Sequence, residues 1–279
     1  MTGQTVGDAI ARHLDISLVS FTGSTLTGRK VQEAAAKSNL KVVHLELGGK
    51  SPNIIFDDAD LDQAIKWSSQ GIFFNMGQAC IAGSRIYVQE GIYDRFVEGL
   101  SQSAKELLSR TGDPFAEATQ HGPQASQLQF DRVMEYIDSA KADGATIYTG
   151  GERVGTSGYF LQPTVITNAT PDMKIVKEEV FGPVAAVMKF KTEEEVIEMA
   201  NETSYGLACG VFTENNSRAL RVCHELNAGM AFVNCYGWAD VQVPFGGYRQ
   251  SGNAREMGEE GIYEFTQLKS VHVNVGLKI

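Results

Sequence analysis

Apolar positions along the chain alternate between two periodicities. Short apolar runs bounded by Gly, Asn or Asp predict strands at Ile16 to Phe21, Val42 to Leu47, Asn53 to Phe56 and Ser84 to Gln89. Between and after them, apolar residues recur every three or four positions. This predicts helices at Thr27 to Ser38, Leu61 to Phe73, Ile92 to Arg110 and Gln127 to Ala142. A strand follows at Ala145 to Tyr148, and the three glycines of Gly151 to Gly158 predict a loop or hairpin turn. Phe181 to Phe190 reads as one long apolar strand. Thr192-Glu193-Glu194-Glu195 then forms a capping box that opens a helix to Asn201. Strands at Gly206 to Phe212 and Gly229 to Asn234 flank a helix at Ser217 to Leu226, and Ser270 to Val275 alternates as an edge strand would. Repeated strand–helix alternation predicts an α/β fold built on parallel sheets with helical crossovers.

Composition narrows the function. With 279 residues, 43% of them hydrophobic, the chain has material for one large domain or two. A net charge of −10 argues against nucleic acid, whose phosphates select a basic face. No apolar run reaches the ~20 residues of a membrane span. Met1-Thr2-Gly3-Gln4 lacks the basic-then-apolar pattern of a signal peptide. The four cysteines, Cys80, Cys209, Cys223 and Cys235, are widely spaced without a C-x-x-C pair. They read as reduced thiols of a cytoplasmic protein. None of the five histidines stands at metal-ligand spacing from another, so no metal is expected.

Two segments carry candidate chemistry. Met76 to Arg85 places Cys80 in an uncharged turn between Gly77 and Gly83, with Ala79 and Ala82 leaving room around the sulfur. Leu45-Glu46-Leu47-Gly48-Gly49-Lys50 puts one acid at the end of an apolar strand. A thiol and a half-buried carboxyl are the parts of covalent thiol catalysis with a general base. Taken singly, Cys80 equally fits a small buried hydrophobe and Glu46 an exposed strand-end acid. Phe21 to Gly28 joins a strand to a helix through Gly23 and Ser24. Such a turn suits a pyrophosphate, and it suits ordinary helix capping as well. Glu178-Glu179-Val180-Phe181 places two acids and an aromatic before a Gly-Pro break. Pro244 to Glu256 is a long Gly-rich loop of the kind that walls a site.

Together these residues resemble the aldehyde dehydrogenase superfamily, from about Val6 to the C-terminus. Five motifs stand in the family's order: FTGST-x-x-G at Phe21 to Gly28, LELGGKSP at Leu45 to Pro52, GQ-x-C at Gly77 to Cys80, EE-x-FGPV at Glu178 to Val184, and PFGG-x-x-x-SG at Pro244 to Gly252. The resemblance implies a parallel-sheet catalytic domain with a remnant of a Rossmann-like dinucleotide-binding domain. Residues 1–47 would be the partial dinucleotide-binding region and 48–248 the catalytic domain. Residues 249–263 would return to the cofactor region, and 264–279 would form an oligomerisation arm. It further implies oxidation of an aldehyde to a carboxylic acid with NAD, NADP being possible. In that scheme Cys80 attacks the aldehyde, and its thiohemiacetal becomes a thioester. Glu46 activates the hydrolytic water and deprotonates Cys80 beforehand. Gly23, Ser24 and Gly28 line the pyrophosphate, Glu179 holds the nicotinamide ribose, and Phe181 lies against the ring. The backbone N–H of Cys80 gives one half of the oxyanion hole. On this reading Cys80 alkylates faster than Cys209, Cys223 and Cys235.

Two departures from the family pattern are visible. Ala254 stands where members carry Gly. The chain also begins in the middle of the pattern, so a truncated form is expected, without the lysine and acid that grip the adenosine ribose or the asparagine that completes the oxyanion hole. Two alternatives follow: a catalytically incomplete fragment acting as a binding or assembly partner, and a residual thiol esterase. A homodimer or homotetramer is implied for the full-length form.

Overall fold

The computed structural model describes residues 3–279; Met1 and Thr2, where the leader pattern was sought, lie outside the described residues. The chain opens with α1 (Gly3–Arg12), β1 (Leu18–Thr22), α2 (Thr25–Ala36) and β2 (Val42–Glu46). Next come β3 (Pro52–Ile55), α3 (Leu61–Phe73), β4 (Arg85–Gln89), α4 (Tyr93–Leu108) and α5 (Gln127–Ala142). After β5 (Thr146–Thr149) and β6 (Thr164–Thr167), a short α6 (Lys174–Lys177) leads into β7 (Val184–Phe190). The last elements are α7 (Glu193–Asn201), β8 (Ala208–Phe212), α8 (Asn216–Glu225), β9 (Met230–Val233) and a one-turn α9 (Glu260–Tyr263).

These strands form two sheets. β1 and β2 pair in parallel, Leu18 opposite Val42 and Thr22 opposite Glu46. The larger sheet runs β5-β6-β7-β4-β3-β8-β9 and is parallel throughout except for the β5–β6 pair. Its central strands are buried on both faces, which is why they read as unbroken apolar runs. Helices cover each face. One core gathers α5 and α8 around Val133, Ile137, Met188 and Val211; the other gathers α3 and α4 around Ile72, Phe96, Leu100 and Val187.

Local signals set most helix starts. Ser24, Asp60 and Ser126 accept the N–H groups of Thr27, Gln63 and Gln129, and the capping box at Thr192 and Glu195 forms in both directions. The structure differs from the sequence reading at five places. The strand expected from Phe181 begins at Val184, because Phe181 adopts φ 55° and Pro183 has no N–H to give to a ladder. The strand expected from Gly206 begins at Ala208. β6, only four residues long behind Pro163, is too short to show a period, and α1, although strongly amphipathic, stands outside the elements expected from the sequence. Ser270 to Val275 forms no strand and lies exposed, since no neighbouring strand offers it a ladder.

The crossing from the small sheet to the large one, Leu47 to Ser51, positions the site. The outer edge of β2 is sealed by the Gly-rich loop. Leu47 N–H donates to the Ser251 carbonyl at 2.8 Å, and Asn253 N–H donates to the Leu45 carbonyl at 3.0 Å. The Asn253 side chain accepts from Leu45 N–H at 2.8 Å and donates to the Val43 carbonyl at 3.2 Å. Among the described residues no helix is long and apolar enough to cross a membrane.

Candidate active site

Glu46 is the last residue of β2, and its side chain enters the crossing between the sheets with 4% of its surface exposed. Neither carboxylate oxygen has a hydrogen-bond partner. Burial without a counter-ion raises its pKa to about 8. The negative charge of Glu256 adds to this, Arg255 opposes it, and Glu264 adds a little more.

Two glycines follow, and their lack of a side chain is what closes the site. A Cβ on Gly49 would overlap the backbone carbonyl oxygen of Cys80, and one on Gly48 would overlap the carboxylate of Glu179. Gly49 N–H donates to Glu179 Oε1 at 3.0 Å. The bare backbone of 48–49 thus brings together the strand end bearing Glu46, the turn bearing Cys80 and the Glu179 carboxylate. Ser251, fully buried, locks this backbone. Its Oγ donates to the Gly48 carbonyl at 2.7 Å and accepts from Gly206 N–H at 3.0 Å.

Cys80 sits beyond three consecutive left-handed residues, Asn75 (φ 50°), Met76 (φ 57°) and Gly77 (φ 69°). At Gly77 only glycine fits, because a Cβ there would strike the Gly182 carbonyl. Beneath the turn lies Tyr236, fully buried, whose hydroxyl donates to the Ile81 carbonyl at 2.8 Å. Side chains at Gly71, Gly83 or Gly210 would collide with its ring. Burial raises the Cys80 thiol to about 11. The charges of Glu179 and Glu46 push the same way, while the backbone N–H groups of Ile81 and Cys80 pull against them.

Other expected residues occupy the same neighbourhood in differing ways. Glu179 is raised by burial, opposed by its bond from Gly49 and by the charges of Lys50 and Arg132. Phe181 stays 39% exposed on its left-handed backbone, with Gln129 Nε2 donating to its carbonyl at 2.8 Å and to that of Val180 at 3.1 Å. Gly28 lets α2 press onto β2, since a Cβ there would meet Leu47. Gly23 spends its N–H on the Glu46 carbonyl at 3.0 Å, and Ser24 Oγ is the helix cap, accepting from Thr27 N–H at 3.3 Å. The first turn of α2 still leaves N–H groups unpaired. It opens on a groove of about 450 Å³ that includes Thr25, Arg29, Leu47, Gln250 and Asn253. Gly23 and Ser24 shape the turn that leads into this helix start.

Several contributors carried no signal of their own in the sequence. Tyr236, Gln129 and Glu256 act through tertiary neighbours far along the chain. Lys50 is buried and lowered to about 7 by that burial and by Arg85, with Glu179 and Glu178 holding it up. Lys50, Ser251 and Glu256 stood inside segments already singled out, Leu45 to Pro52 and Pro244 to Glu256, but without a role assigned to them.

The site is thus built in a largely parallel α/β frame, with a buried carboxyl and a partly buried thiol meeting at a double glycine. The sequence pattern of the Aldehyde dehydrogenase family matches residues 1–271, and the chain belongs to that family. It is 57% identical to an aldehyde dehydrogenase of Agaricus bisporus over 277 residues, 99% of this chain and 55% of that protein. Against the cytosolic aldehyde dehydrogenase 1 of Rattus norvegicus it is 51% identical over 276 residues, again 99% of this chain and 55% of the relative. An aldehyde dehydrogenase of Bacillus cereus solved with NAD+ superposes with a TM-score of 0.96 at 47% identity, covering 99% of this chain and 55% of that one. The chain therefore spans about half the length of the curated relatives it matches.

Proposed function

We propose that this chain supplies the nucleophile and the base for NAD(P)-dependent oxidation of an aldehyde to a carboxylic acid. The observation that carries the reading is the joining of Glu46, Glu179 and the Cys80 turn through Gly48 and Gly49. Cys80 Sγ attacks the aldehyde carbon, forming a C–S bond and a thiohemiacetal. Its proton passes to Glu46, one of the two carboxyls whose charge reaches the thiol. The thiol lies about three pH units above that carboxyl, so the transfer costs about 4 kcal/mol. Bonding of the new oxyanion to the Cys80 N–H offsets part of it. The dinucleotide, held by the turn at Gly23 and Ser24 with Gly28 behind it, would supply the hydride acceptor. Glu179 would bond its nicotinamide ribose and Phe181 would cover the ring. Glu46, once ionised, takes a proton from water as that water attacks the thioester, and the thiol leaves as the acid forms.

Activity should rise as pH passes about 8, where Glu46 ionises. An aldehyde, cytoplasmic residence and a homodimer or homotetramer complete the proposal for the whole protein. The test is aldehyde-dependent NADH formation by the protein carrying the family's full length, beside its Cys80→Ala variant. Loss of all turnover in the variant is expected; equal turnover overturns the proposal.

A further inference from the structure

Gln78 stands two residues before Cys80, inside the GQ-x-C motif, and the reaction proposed above gives it no task. It follows the run Asn75, Met76 and Gly77, all left-handed, a backbone that residues other than glycine keep only where surrounding bonds hold them. Gln78 closes that run. Its N–H donates to the Asn75 carbonyl at 3.0 Å, and its own carbonyl accepts from Asn75 Nδ2 at 3.0 Å. Its carboxamide reaches beyond the turn. Oε1 accepts the N–H of Ala125 at 2.8 Å, while Nε2 donates to the Asn75 carbonyl at 3.4 Å.

Ala125 belongs to the approach to α5. The next residue, Ser126, caps that helix, and Gln129 in its first turn donates to the carbonyls of Val180 and Phe181. Residues 125–129 therefore hold two loops at once, the turn that carries Cys80 and the loop that carries Phe181. The buried Gln124 adds a long bond from Nε2 to the Met76 carbonyl at 3.4 Å. The two loops also meet directly, where Gly77 abuts the Gly182 carbonyl.

We propose that Gln78 is a positioning residue for the thiol. By accepting the Ala125 N–H it fixes the Cys80 turn against the same helix start that fixes the Phe181 loop, and so sets the spacing between Cys80 and the nicotinamide ring. The inference rests on the aldehyde oxidation proposed above. There the thiohemiacetal carbon on Cys80 Sγ gives up its hydrogen with the bonding pair to the ring, which is reduced, while the oxygen re-forms its double bond and a thioester results. Such a transfer is steeply sensitive to distance, a 1 Å misplacement costing on the order of 100-fold in rate. Ala125 is exposed, so losing its bond to Gln78 leaves no buried donor unpaired. The effect therefore falls on the rate and little on the stability.

The test is stopped-flow NADH formation in the first turnover, at saturating NAD and aldehyde, by the protein carrying the family's full length and its Gln78→Met and Gln78→Glu variants. Met keeps the length of the side chain and loses the oxygen; Glu keeps an oxygen within reach of the Ala125 N–H. Gln78→Met should slow the hydride step about 10-fold while the KM for NAD changes by less than about twofold, and Gln78→Glu should recover most of the rate. Gln78→Asn, which draws the oxygen back by one methylene, should behave as Gln78→Met does, so a Met variant that fails to fold does not decide the matter. A Gln78→Met protein as fast as the unaltered one, an equal loss in Gln78→Glu, or a rise in the KM for NAD that accounts for the loss overturns the positioning role and leaves aldehyde oxidation standing. Absence of Cys80-dependent NADH formation in the unaltered protein overturns the oxidation itself, and this proposal with it.

Discussion

Replacing Glu46 by Gln should stabilise this chain, and by an amount that grows with pH. The carboxyl lies buried with both oxygens unpaired and a pKa raised from 4.5 to about 8. The folded state therefore holds the proton more tightly than the unfolded chain does. Below about pH 4.5 both states carry it, and ionisation costs nothing. Between 4.5 and about 8 each pH unit removes about 1.4 kcal/mol of stability, and above 8 the loss stops growing. Gln has the same shape and no charge to bury. Its advantage over Glu should be about 1 kcal/mol at pH 5, about 3 kcal/mol at pH 7 and close to 5 kcal/mol at pH 9. Urea denaturation of both proteins across pH 5 to 9, followed by intrinsic fluorescence, measures the difference. A fixed offset between Glu and Gln reflects the exchanged amide; the slope with pH reflects the buried charge. A difference that stays constant over this range, or that shrinks as pH rises, would refute the assignment of Glu46 as a carboxyl poised near neutrality.

Two further outcomes follow from the same geometry. Gly49→Ala places a methyl group on the Cys80 carbonyl and should lower stability by about 2 kcal/mol or more as the turn is displaced; thermal unfolding reads this, and an unchanged midpoint contradicts it. Cys80 should alkylate slowly near pH 7, with a rate still climbing above pH 9; a Cys80 profile levelling off below pH 8 would show that burial and the two carboxylates do not govern it.

Most of the frame could be read from the chain because its signals are local. Unbroken apolar runs marked β3, β4, β7 and β8 as strands buried on both faces, and Thr192 with Glu195 announced α7 through bonds between near neighbours. The site was legible as a set of motifs, since Cys80, Glu46 and Glu179 each stand beside glycines whose purpose is tertiary. What the sequence hides is environment. Nothing near Glu46 in the chain reveals that its oxygens lack partners, because the walls come from Arg255, Glu256 and Glu264, some two hundred positions on. A comparable separation hides the role of Tyr236, whose hydroxyl bonds the Ile81 carbonyl, as the floor under Cys80. The tail from Ser270 shows the converse limit. Its alternation states what the segment can pair with, and a strand exists only where a partner edge is present.

The central claim is that Cys80 carries the acyl group and Glu46 brings the water. It is tested most directly by mixing the full-length Glu46→Gln protein with an aldehyde and NAD, quenching in acid and weighing the peptide that contains Cys80. The account predicts an acyl adduct on Cys80 that accumulates because its hydrolysis has lost the base. NADH forming at the unaltered steady rate with no adduct on Cys80 would contradict it.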